Sequence, residues 1–138
     1  FQIIKSIEEF GLSEYLELED YMPHKDVIAE LRKAQVLLLP INTTRDSMGI
    51  LPGKLYEYIG AKRPIFCICP KGSDAERVLE ETKAGEIIYY EDEDKSYDVI
   101  EKWFALYQDK NLTIESCNND KFSRRQLAKD YTDLLNQL

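Results

Sequence analysis

Helical and strand-like patterns alternate along this chain with short connections between them, and that order confines it to α/β architectures. Residues 2 to 10 place Ile3, Ile4, Ile7 and Phe10 at helical spacing before Gly11. Tyr15 to Tyr21 sets Tyr15, Glu17, Glu19 and Tyr21 against Leu16, Leu18 and Asp20, the period of a strand with one wetter face. Residues 25 to 34 read as a helix through Val27, Ile28, Leu31 and Ala34, and the apolar run Val36 to Pro40 is short enough for a strand buried on both faces. A helix from about Gly53 to Ala61 and a strand from Ile65 to Ile68 follow. Ser73 with Glu76 forms a capping box for a helix to about Lys83, closed by Gly85, and Glu86 to Tyr90 is a further strand. The rest is helical, with Tyr97, Ile100, Trp103, Phe104 and Tyr107 on one face, and the acidic run 91 to 94 is read as a solvated loop. The expected fold is a Rossmann-like, three-layer α/β/α domain with a mainly parallel sheet, whose ligands gather at the carboxyl ends of the strands.

A chain of 138 residues holds one domain with a real core, spanning 1–138, and its 43% hydrophobic and 32% charged residues are ordinary for a globular protein. A formal net charge of −8 argues against nucleic acid, because binding a phosphate backbone needs a basic face. No apolar run approaches the roughly 18 residues of a membrane span. Cys67, Cys69 and Cys117 lack metal-ligand spacing, and the C-x-C pair points both side chains to one face of a strand; buried, reduced thiols are the expectation. With one histidine and no Cys/His cluster, no protein-held metal is expected.

The chemistry concentrates between Gly49 and Phe66, GILPGKLYEYIGAKRPIF. Gly49 and Gly53 let the backbone approach a ligand, the free amides of a helix starting near Gly53 form an anion seat, and Lys54 stands beside them. Glu57 falls on the early part of that helix. Amides and a lysine for phosphate, with a carboxylate for sugar hydroxyls, suit a nucleotide sugar. The polar loop Asn42 to Ser47 leaves the buried strand at its carboxyl end. His24, next to Pro23 at a helix start, is read as a cap or a solvated residue.

This stretch resembles the donor-binding segment of retaining glycosyltransferases of the GT-B architecture, the group 1 or family 4-like enzymes, whose motif is a glutamate, seven residues, a second glutamate, then a glycine and proline before a strand. Glu57 matches the second glutamate, Gly60 and Pro64 match the turn, and GILPGKLYEY looks like one bacterial branch. The preceding YMPHKDVIAELRKAQVLLLP resembles the family's helix and strand, with Ala34, Gln35 and Pro40 at matching positions. There are two departures: Gly49 stands where the first glutamate belongs, and Gln35 replaces an aspartate. The resemblance implies that Glu57 holds the ribose hydroxyls of a UDP- or GDP-sugar, with Leu51, Pro52, Gly53 and Lys54 around the donor and Asp46 standing in for the missing glutamate. It assigns no catalytic residue to this chain and implies no cofactor and no metal. It further implies that the chain, which opens on Phe1, is part of a longer cytoplasmic enzyme working near the inner membrane on surface polysaccharide, with an N-terminal acceptor domain elsewhere. Sheet edges left open would then pair with the 15–21 strand or with a second chain. Two other readings stand beside it: a nucleotide-sugar 2-epimerase-like enzyme on the same scaffold, and a non-catalytic doubly wound module or degenerate transferase half.

Overall fold

The computed structural model describes residues 2–43 and 47–137. Three parallel strands, β1 (Leu37–Pro40), β2 (Ile65–Ile68) and β3 (Gly85–Ile88), form one sheet in the order β1-β2-β3. The register pairs Leu37 with Ile65 and Ile65 with Gly85. Around them run α1 (Gln2–Glu9), α2 (His24–Lys33), α3 (Gly53–Ala61), α4 (Asp74–Thr82), α5 (Glu93–Gln108) and α6 (Arg124–Leu135), with short 3-10 turns at Ser13–Tyr15, Ser47–Gly49 and Asn119–Phe122. The chain is therefore an α/β protein with a parallel sheet. No described helix is long and apolar enough to cross a membrane.

Strand alternation sorts the core into two layers. Leu39, Ile41, Ile65, Cys67 and Cys69 face Leu55 and Ile59 of α3 and Ala75, Val78 and Leu79 of α4. Phe66 and Ile88 point the other way, onto Val99 and Trp103 of α5, and the Phe66 and Trp103 rings meet edge to face at 6.1 Å. Cys67 and Cys69 are both buried free thiols, as the sequence implies, while Cys117 is half-buried. A hydrogen bond to Cys69, with burial behind it, pushes the Cys67 thiol well up.

Local signals explain most boundaries. Gly11, at φ 67°, ends α1 by donating to Glu8 while Leu12 donates to Ile7. The Ser73 hydroxyl caps α4 by accepting from the Glu76 amide, and the Glu76 carboxylate accepts from Gly72. Two details depart from the sequence reading. The turn that closes α4 is Lys83, in the left-handed region at φ 50°, rather than Gly85. Gly85 instead opens β3, where any Cβ would lie 1.9 Å from the Ile65 carbonyl oxygen, so glycine is required for the strands to approach. The acidic run is not a loop either: Asp92 caps α5 by accepting from the Lys95 amide, and Glu93 and Asp94 fill its first turn, where negative charge meets the positive end of the helix.

The largest correction concerns residues 15–21. They form no strand; Ser13–Tyr15 is a 3-10 turn and the following residues hold no regular structure, with Leu18 and Tyr21 exposed. Alternation is a property of a sequence, whereas a strand also needs a partner for its main-chain groups. The open edge of β1 gives this segment none. Leu37 and Ile41 donate inward, to Pro64 and Ile68, so Leu38 and Pro40 face outward, and Pro40 has no N–H to offer. A proline at that place blunts the edge. The expected pairing between the 15–21 segment and β1 is absent.

Candidate functional site

The expected site is built on the start of α3. Pro52 precedes the helix in an extended conformation and makes no side-chain capping bond, so no side chain of its own covers the first amides. Gly53 and Lys54 are exposed there, Leu51 is exposed beside them and Pro52 is half-buried. Neither Gly49 nor Gly53 adopts a positive φ, and a Cβ at either would meet nothing within 4 Å. Their conformational freedom is thus not used, and what they contribute is open space in front of the helix. Leu55 and Ile59 anchor the helix in the core, which holds its first turn towards solvent. Asp46 lies outside the described residues.

Glu57 stands one turn into α3 and is not isolated. Its Oε1 lies 3.0 Å from Nε2 of His24, the first residue of α2; the side chains are 35% and 72% exposed, respectively. A carboxylate only accepts, so the imidazole carries its proton on Nε2. At the other end of α2 the Arg63 Nε–H donates to the Arg32 carbonyl at 2.7 Å. These two polar contacts, one at each end of α2, tie it alongside α3, from the middle of that helix to the turn after it, although α2 contains no buried residue. Arg63 is thus a structural clasp, and Lys62 is the left-handed closing residue of α3. Residues 33 positions apart give no pairwise signal in a single sequence, which is why His24 reads there as a mere cap.

The loops after the three strands converge on this edge of the sheet. The Tyr90 hydroxyl reaches across β2 to the Ile41 carbonyl at 2.7 Å. A Cβ at Gly72 would lie 3.4 Å from Cε of Met48, which brings the β2–α4 loop against the glycine loop. Tyr89 donates to Glu76 at 2.8 Å, and that bond pushes the phenol up to about 12. Lys71 and Lys95 both lie within 6.0 Å of the Tyr89 ring.

Two clefts that adjoin α3 or the sheet lie away from α3's first turn. One, of about 610 Å³, is polar and adjoins the far end of α3, where Lys62, Asn118, Lys121 and Gln126 line it. The other, of about 600 Å³, is an apolar groove between α5 and β1. The α3 start, with Gly53 and Lys54 exposed, is an open ledge. Among the described residues no three His, Cys, Asp or Glu side chains converge as a metal site would need. No known protein family, curated protein or solved structure matches this chain.

Proposed function

We propose that this chain is the donor-binding part of a glycosyltransferase of the GT-B architecture, which holds a UDP- or GDP-sugar while the sugar passes to an acceptor presented by another domain. The observation that carries this reading is the α3 ledge: a helix start with no side-chain cap, an exposed lysine, and a carboxylate one turn on that is held by an imidazole. The amides of Gly53 and Lys54, with the Lys54 ammonium, take the diphosphate and stabilise the negative charge that grows on it as the glycosidic bond breaks. Glu57 accepts from the ribose hydroxyls and fixes the nucleoside end. Leu51 and Pro52 border the ledge, and Asp46, which lies outside the described residues, is assigned to the donor sugar on the resemblance alone. On this reading no metal is required for the leaving group, since fixed dipoles and a cation do that work. The protein acts in the cytoplasm, beside the inner membrane, in the assembly of a surface glycan.

Calorimetric titration of the chain with UDP and with GDP tests the proposal. One of the two binds, and Glu57→Ala weakens it by about 10- to 100-fold, the loss expected for charged hydrogen bonds to hydroxyls. If neither nucleotide binds, or if Glu57→Ala leaves the affinity as it was, the reading is wrong.

A further inference from the structure

We propose that His24 is a positioning residue for Glu57, so that the affinity of the ledge for a ribose diol is set from α2; this rests on the nucleotide reading above. Glutamate on a half-exposed helix face has three free side-chain torsions, and freezing them on ligand binding costs up to about 2 kcal/mol of rotamer entropy. The 3.0 Å contact between His24 Nε2 and Glu57 Oε1 restricts them beforehand. A single bond to Oε1 leaves Oε2 and a second lone pair on Oε1 free to accept from two adjacent hydroxyls. The neutral Nε2–H tautomer and the imidazolium both donate, so the hold does not require a charged histidine.

The donor is itself fixed by independent means. His24 is the first residue of α2, and α2 is fastened at its far end by Arg63 on the Arg32 carbonyl. Half-buried Val27, Ile28 and Leu31 line the rest of that helix. Loss of the imidazole therefore frees Glu57 without releasing α2. Lys25 and Asp26 next to His24 and Lys54 three residues before Glu57 are the neighbouring charges in sequence.

His24 is the only histidine in the chain, so imidazole signals are unambiguous. The experiment measures affinities of wild type, His24→Ala and His24→Gln for UDP or GDP and for the corresponding 2′,3′-dideoxynucleotide, with a long-range ¹H–¹⁵N spectrum of the wild-type imidazole. His24→Ala weakens the ribonucleotide by about 5- to 10-fold, in line with the rotamer entropy above. It leaves the dideoxynucleotide unchanged, and His24→Gln, which keeps an N–H donor, recovers most of the loss. The spectrum shows the proton on Nε2 and shifts in Glu57→Gln. Equal losses for both ligands would make His24 a general structural contact and overturn the inference, as would an unchanged ribonucleotide affinity or a neutral ring whose one proton sits on Nδ1. Absence of binding to any nucleotide in wild type overturns the nucleotide reading first and this inference with it, whereas normal binding that is indifferent to His24 removes the inference alone.

Discussion

The two faces of the sheet are covered to different degrees. On one face α3 and α4 lie side by side, and Leu55, Ile65, Leu79 and the two strand cysteines are all but inaccessible. On the other, α5 is the one described helix in the cluster that covers β2 and β3, through Val99 and Trp103 with Leu112 beside them, and it leaves Leu38 of β1, 57% exposed, beside the equally open Ile100, Phe104 and Tyr107. Geometry accounts for the contrast. A helix is about 10 Å wide with its side chains and strands lie about 4.8 Å apart, so one helix shields about two strands. Two helices seal a three-stranded face; one leaves a groove. The α3 ledge belongs to the sealed side, where Leu55 and Ile59 seat the helix that carries Glu57 in the core.

The largest effect expected is at the junction of β2 and β3, which both faces share. Gly85→Val sets side-chain atoms against the Ile65 backbone, which cannot yield as a flexible side chain would. The variant is expected to lose the cooperative unfolding transition seen by circular dichroism, and a wild-type melting curve would show that the strands can separate without disrupting either layer.

Next comes a direct comparison of the layers. Leu55→Ala empties a site with no route for collapse and is expected to cost about 4 kcal/mol in urea unfolding, near the top of the range for leucine. Trp103→Ala removes a larger side chain, yet it opens onto the groove, where neighbours and water can refill the space. About 3 kcal/mol, the low end for tryptophan, is expected. A Trp103→Ala cost well above that of Leu55→Ala would reverse the ranking of the two faces.

How much of this was legible in sequence follows from the range of the forces involved. The α3 boundaries, the Ser73 cap and the positions of the strands around Leu37 and Ile65 rest on neighbours within a few residues and are read correctly. The expected burial of the Val36–Pro40 strand on both faces is not met: β1 is the open edge of the sheet, and Leu38 and Pro40 are exposed. Residues 15–21 carry the right alternation but have no strand to pair with, a tertiary fact that no local pattern holds. Gly85 looks like a helix stop because αL glycines commonly are, whereas its reason lies across the sheet at Ile65. At the site, Gly53, Lys54 and Glu57 were legible as a motif on one helix. His24 was not, because its partner lies 33 residues away and only the packing of α2 on α3 brings the two together.

A smaller effect tests the fastening of the sealed side's rim. Tyr89 donates to Glu76 of α4, and its folded pKa, about 12, lies above the ordinary 10 of an unfolded tyrosine. The neutral phenol is the form that folding favours, so the contribution is fully present below pH 10 and is lost as pH rises through 12. The stability gap between wild type and Tyr89→Phe is therefore expected to narrow from pH 10 to pH 12 in chemical unfolding. A gap that stays constant across that window would detach Tyr89 from Glu76.

The smallest effect is the one that decides whether the open face is open. Phe104, 58% exposed, has little to lose on truncation, so Phe104→Ser is expected to change unfolding free energy by no more than about 0.5 kcal/mol. The same change should lower binding of a hydrophobic dye, since the side chain lines the groove. A loss above about 1.5 kcal/mol that grows with protein concentration would say the reverse, because burial against another copy is the only way an exposed ring acquires the energy of a core residue. Sedimentation at matched concentrations would then show a dimer, and the blunted β1 edge, with Pro40 lacking its donor, would have to be overcome by the apolar contact alone. A monomer with unchanged stability leaves the contrast between the faces intact and keeps the open face a property of the single chain.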